Sequence, residues 1–102
     1  MLEAMANSSV GDDVYQEDSD TNAFQAEISR LTGMEDALFT LSGTMGNQLG
    51  VRIHLNQFPH SVLCDYRAHV YAEEGSGLAV LSQAMVTPVH PANGLYLTVD
   101  DV

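Results

Sequence analysis

The residues best equipped for chemistry lie in three short stretches: Ser42-Gly43-Thr44, His69, and Glu73-Glu74. The first stands between an apolar run at 37–41 and a helical periodicity, so it occupies the junction of a strand and a helix. A helix N-terminus presents backbone N–H groups without partners and about half a positive charge, and so receives phosphate or carboxylate. Gly43 permits close approach of backbone to ligand, and the Ser42 and Thr44 hydroxyls add donors. The plain alternative is that Ser42 or Thr44 only caps the helix. The tripeptide fits neither Gly-x-Gly-x-x-Gly nor Gly-x-x-x-x-Gly-Lys.

His69 follows a second apolar run at 61–65, after Tyr66-Arg67-Ala68. In open α/β sheets ligands bind beyond the carboxyl ends of the strands, so Ser42, Gly43, Thr44 and His69 are expected to converge on one crevice. A neutral imidazole there stacks on a planar ligand or carries a proton; a structural histidine is the alternative. Glu73-Glu74, just before Gly75-Ser76-Gly77, would bring a carboxylate to the same place, against the alternative of a solvated acidic pair before a turn. His54, His60 and His90 show no ligand spacing, so no metal site is expected. Asp12-Asp13 and Glu17-Asp18 lack the alternation and the glycine of a calcium loop, which leaves a solvated acidic loop. Cys64 reads as a small buried hydrophobe.

The elements that must position these residues come from a chain of 102 residues, the size of one small domain, with an ordinary 45% of hydrophobic residues. No apolar stretch approaches the roughly 20 residues of a membrane span, and residues 1–6 include Glu3 but no basic residue, unlike a secretory signal. A single cysteine excludes an internal disulfide framework and points to a reducing, cytoplasmic setting. Fourteen acids oppose three arginines, a net charge of −11 that is the wrong sign for non-specific binding to nucleic acid or to anionic membranes. There is no lysine, which removes every mechanism in this chain that needs a side-chain amine.

Residues 7–20 read as an irregular acidic loop. Phe24, Ile28 and Leu31 then mark an amphipathic helix of about ten residues, with Asn22 and Gln25 as a capping box and Gly33 at its end. A strand at 37–41, a helix of about 15 residues built on Met45, Leu49 and Ile53 and ending at Asn56 and Pro59, and a strand at 61–65 make a βαβ unit. Residues 78–81 and 85–89 form a further helix–strand or strand–strand passage, and Asn93-Gly94 is a turn. Residues 2–6 resemble the tail of a helix, and Thr98-x-x-Asp101 resembles the start of another. A parallel sheet needs helices on both faces, so the chain is expected to be part of a larger α/β domain with both ends cut.

Taken in order, Gly11-Asp12-Asp13-Val14-Tyr15, Glu17-Asp18, Ala37-Leu38-Phe39-x-x-Ser42-Gly43-Thr44-Met45-Gly46-Asn47 and His69 resemble threonine aldolases along the whole chain. Cys64-Asp65-Tyr66-Arg67-Ala68-His69 and Asn93-Gly94-x-Tyr96-Leu97-Thr98 are closest to the eukaryotic members. The resemblance implies a pyridoxal-phosphate enzyme of the aspartate-aminotransferase fold (fold type I), a three-layer α/β/α arrangement on a mainly parallel sheet. The chain would be the early part of its large domain, a quarter to a third of a full enzyme. It implies that Ser42, Gly43 and Thr44 hold the cofactor phosphate, that His69 stacks over the pyridine ring, and that Glu74 is an acid near the same pocket, with His69 and Glu74 as the catalytic pair. The implied reaction cleaves the Cα–Cβ bond of threonine or its allo isomer to glycine and acetaldehyde, in an enzyme that is a homo-oligomer.

The sequence departs from the family at Gln16 and Ser19, where Gly and Pro are usual, so the acidic loop is expected to be less constrained. The Schiff-base lysine, the acid facing the ring nitrogen and the substrate-binding arginines have no counterparts here, so this chain alone is expected to be inactive. Two other readings stand beside it: a β-eliminating lyase of the same fold, and a non-catalytic fragment or interaction module that pairs with full-length subunits. An incomplete gene model is a third possibility.

Overall fold

A computed structural model describes residues 1–102 in two compact units, residues 1–40 and 41–102. None of its helices is long and apolar enough to cross a membrane.

The first unit holds helix α1 (Leu2–Ala6), a single 3₁₀ turn (Asp13–Tyr15) and helix α2 (Ser19–Thr32). The acidic stretch before α2 is more ordered than an irregular loop. Asp12 accepts from the Val14 N–H at 2.9 Å, and the Glu17 N–H returns to the Asp12 carbonyl at 3.0 Å. A Cβ at Gly11 would overlap the Glu17 carbonyl, so only glycine fits under this turn. Gln16 closes the turn in the left-handed region, at φ 59°.

Helix α2 has 14 residues rather than about ten, and its N-cap is Asp18 rather than Asn22. The Asp18 carboxylate accepts from the Thr21 N–H at 2.8 Å and from the Ser9 hydroxyl at 2.7 Å, which holds its pKa below the usual carboxylate range. Asn22 sits inside the helix and donates to the Gln16 carbonyl at 2.8 Å. Asp18 supplies a charged acceptor one turn earlier, and charge-assisted capping sets the start of the helix. Gly33 ends it as expected, with φ 69° and its N–H on the Ser29 carbonyl.

Residues 37–41 form no strand, and the βαβ unit expected around them is absent. A strand exists only through a ladder partner, and here the Phe39 N–H donates instead to Gln25 Oε1 at 2.8 Å. The Phe39 ring meets Phe24 edge-on, with centroids 6.0 Å apart.

The second unit contains α3 (Gly43–Arg52), β1 (His60–Asp65), α4 (His69–Ala72), α5 (Gly77–Ser82) and β2 (Ala84–Val89), with a closing 3₁₀ turn (Val99–Asp101). Helix α3 has ten residues, shorter than expected, because the chain leaves it at Ile53. The parallel pair is β1 with β2, in register from His60↔Ala84 to Asp65↔Val89. Their connection runs through α4 and α5, so the crossover lies one element later than the periodicity implied, and 78–89 is a helix–strand passage. Leu78 of α5, with no exposed surface, and Ala84 of β2 form the apolar centre.

Buried polar groups surround that centre, His60 among them tied down by a hydrogen bond. His60 Nδ1 lies 2.9 Å from the Ser82 carbonyl, and its ring stacks on Phe58. Past the strand ends, Tyr66 stacks on His90 with centroids 4.1 Å apart. Arg67 forks onto Asp65 and reaches the Gly94 and Leu95 carbonyls at 3.0 Å each, pinning the Asn93-Gly94 turn to the end of β1. Thr98 and Asp101 close a capping box around the last turn.

Candidate functional site

The site grows from the first turn of α3. Ser42 is its N-cap: the backbone there is extended, and its hydroxyl accepts from the Met45 N–H at 3.1 Å. Capping is thus what Ser42 does within the chain. The Gly46 N–H is satisfied by the Ser42 carbonyl. That leaves the N–H groups of Gly43 and Thr44 without an acceptor in the chain. Nothing lies within 4 Å of where a Gly43 Cβ would be, so space is open above these donors. Two free N–H groups at the positive end of a ten-residue helix suit an anion's oxygens.

A cleft of about 390 Å³ runs along α3 from Ser42 and Thr44, past Met45 and Leu49 to Arg52, and is bounded by Leu81 and Ser82. His69 and Glu74 do not line it. They meet α3 at its next turn instead.

His69 begins α4, two residues beyond the Asp65–Arg67 turn of hydrogen bonds at the end of β1. Its Nδ1 lies 2.9 Å from Glu74 Oε1. The pair Glu73-Glu74 is split by the turn behind it, where Gly75 and Ser76 both take positive φ (57° and 64°). Glu73 faces solvent, whereas the Glu74 side chain has no exposed surface. The expected solvated pair is therefore half true.

Two residues to which sequence reasoning assigned no role complete the group. Asn47 Nδ2 donates to Glu74 Oε1 at 2.7 Å, and Gln48 Nε2 donates to Glu74 Oε2 at 2.6 Å. These donations, Asn47 first and His69 next, hold the Glu74 carboxyl below the usual range against the opposing effect of burial. An ionised carboxylate only accepts, so the His69 nitrogen facing it carries the hydrogen. The signal for Gln48 was legible in principle: it lies three residues after Met45 and one before Leu49, on the apolar stripe of α3, where a polar residue needs a reason.

Elsewhere, Cys64 is half-buried in β1, and burial with the neighbouring Asp65 pushes its thiol up, away from reactivity. No group of three or more histidine, cysteine or acidic side chains is arranged to hold a metal ion.

The β-eliminating lyase family model matches residues 1–102. The chain is 56% identical over all of its residues to a low-specificity L-threonine aldolase of Eremothecium gossypii, covering 27% of that protein. It is 55% identical over all of its residues to a low specificity L-threonine aldolase of Saccharomyces cerevisiae, covering 26%. It is 38% identical, again over its full length, to an alanine racemase of Cochliobolus carbonum, covering 26%. The chain thus spans about a quarter of the length of these relatives. Matched from its first residue to its last, it belongs to the β-eliminating lyase family.

Proposed function

We propose that this chain is the phosphate-cradling and ring-facing segment of a threonine aldolase, which cleaves the Cα–Cβ bond of threonine or allo-threonine to glycine and acetaldehyde. The observation that carries the reading is the joining of His69 and Glu74 to α3 through Asn47 and Gln48, on the helix whose Gly43 and Thr44 N–H groups stand free. The identity of 55–56% to proteins named as threonine aldolases gives the reaction class.

The residues fit pyridoxal phosphate. The two free donors and the open space at Gly43 match a phosphate, and an exposed imidazole held on one edge matches a flat ring. When bound, this cofactor is an electron sink for the pair of electrons left by the breaking bond.

Within that scheme Gly43 and Thr44 would hold phosphate oxygens with their N–H groups, while Ser42 caps the helix end. His69 offers one ring face for stacking and a bare Nε2 that takes a proton from a hydroxyl. Glu74 keeps the imidazole in that tautomer and orientation. The chain has no lysine, so it offers no side-chain amine for a Schiff base, and on its own it is expected to be inactive. The remaining parts of this reading, a three-layer sheet of fold type I, a homo-oligomeric enzyme and a cytoplasmic setting, rest on the same family membership.

The test is a chimera in which residues 1–102 replace the corresponding quarter of the Saccharomyces cerevisiae relative. Formation of glycine and acetaldehyde from threonine is expected. Ammonia and a keto acid would favour β-elimination, and a folded, cofactor-loaded chimera that yields neither product pair would overturn the assignment. For the isolated chain, the absorbance of added pyridoxal phosphate is expected to stay that of the free cofactor.

A second reading rests on the sheet. Leu63 and Met85 are exposed on one face of β1 and β2, and each strand has an unpaired edge. A chain of this kind pairs with longer copies as a non-catalytic module; a monodisperse monomer by light scattering would count against it.

A further inference from the structure

The contacts around Glu74 carry a finer assignment, which deepens the roles given to His69 and Glu74 above. We infer that Asn47 and Gln48 are positioning residues: together they fix Glu74 as an ionised acceptor and so oblige the His69 imidazole to carry its hydrogen on Nδ1, leaving Nε2 bare.

The donors leave Glu74 little choice. Oε1 faces Asn47 Nδ2 at 2.7 Å and His69 Nδ1 at 2.9 Å, and Oε2 faces Gln48 Nε2 at 2.6 Å. A protonated carboxyl could pass its hydrogen only to His69 Nδ1, but the bonds from Asn47, His69 and Gln48 hold the Glu74 carboxyl below the usual range, so it stays ionised and Nδ1 donates. Turning the Gln48 amide round would supply an acceptor but would bury an NH₂ group with two unpaired hydrogens. As it stands, only Gln48 Oε1 is buried without a partner.

That orphaned oxygen is itself informative. Gln48 is 7% exposed on the apolar stripe of α3, where leucine or methionine would pack without stranding an acceptor. The residue that is present keeps an unpaired oxygen and delivers a hydrogen to Glu74.

Gly77 makes room for this. A Cβ at Gly77 would lie 2.8 Å from Gln48 Nε2 and 3.2 Å from its Cδ. Gly77 opens α5 and is not in the positive-φ region, so its backbone does not require glycine. Its missing side chain leaves the space that the Gln48 amide occupies.

The experiment is ¹⁵N NMR of the His69 ring in the full 102-residue chain without cofactor, near pH 8.5, about two units above the ordinary imidazole pKa. Loss of the signals in His69→Asn assigns them. The wild type is expected to show the Nδ1–H form in roughly tenfold excess. Gln48→Leu, Gly77→Ala and Asn47→Ala are each expected to lower that ratio at least threefold. Gly77→Ala improves the helix former at the head of α5 and moves only a flexible amide, so it folds and keeps the test decisive.

A wild-type His69 in the Nε2–H form would overturn the proposal. So would an unchanged ratio in Gly77→Ala and Asn47→Ala while Glu74→Gln alone abolishes the preference, because Glu74 would then act without the amides. The readout needs no cofactor or turnover. An inactive chimera with the expected tautomer therefore overturns the aldolase reading and leaves this one standing.

Discussion

His69 Nδ1 and Glu74 Oε1 are 2.9 Å apart, yet one side chain is 61% exposed and the other has no exposed surface. The bond therefore runs from solvent to a sealed carboxylate. A buried ionised acid with several donors is a fixed point, and an exposed ring anchored to it on one edge keeps its direction while its other nitrogen stays accessible.

In the chimera with the yeast relative, His69→Asn is expected to lower turnover about 10²-fold, the lower range for loss of a general acid–base group. Melting should stay near that of the parent, since the ring is exposed. Steady-state kinetics with a thermal melt check both. Undiminished turnover would remove His69 from the chemistry.

Asp65 gives a pH signature. The Arg67 fork beside it lowers its pKa to about 2. Its folded pKa lies below the unfolded value of about 3.9, so its contribution is fully present above that value. It is lost as pH falls from about 4 through about 2. Urea midpoints at about pH 6 and pH 2.5 should therefore drop more for the wild type than for Asp65→Asn. Equal drops would show that the fork to the 94–95 turn adds nothing to stability.

Two substitutions in the first unit should stabilise it. Gln16 sits at φ 59°, where a Cβ is strained, so Gln16→Gly is expected to gain about 0.5–1 kcal/mol. Ser19 is the first residue of α2, and Asp18 before it has φ −79° and ψ 102°, a conformation that tolerates a following proline. Ser19→Pro is expected to gain about 0.4–1 kcal/mol through the unfolded chain. Denaturant midpoints test both, and a fall in either would sink the corresponding argument.

Ser42→Ala removes the cap of α3 and is expected to cost about 1 kcal/mol, while Ser42→Gly costs only a few tenths. Circular dichroism melts would resolve the difference. No loss in either variant would mean that the hydroxyl's bond to Met45 is not what holds the helix end.

Local signals read well from the sequence. Gly33 as a helix stop, Asn93-Gly94 as a turn, the Thr98–Asp101 box and the helix opening at Gly43 each depend on a few neighbouring residues, and each stands in the structure. Pairing did not read as well. Residues 37–41 have the composition of a strand, but a ladder depends on a partner that composition does not name, and Phe39 bonds to a side chain of α2 instead. Asn22 lost the cap to Asp18 because a carboxylate braced by Ser9 is the stronger acceptor. At the candidate site His69 and Glu74 were visible as types, whereas Asn47 and Gln48 were hidden inside a helical period whose polar interruption is the only sequence trace of their task.

The three arginines have a consequence for how an anion reaches this chain. Arg30 is paired with Glu27 and Arg67 with Asp65, and Arg52 leans on the Leu55 carbonyl. Of these, only Arg52 keeps a charge that no carboxylate balances, and one cation does not offset a net charge of −11 at long range. The pull of the α3 terminus fades within a turn of helix, so an approaching dianion is repelled until it is almost in place. The proposed capture of a dianion at this terminus is therefore expected to be slow at low ionic strength and to quicken as salt screens the repulsion, the reverse of a basic phosphate-binding protein.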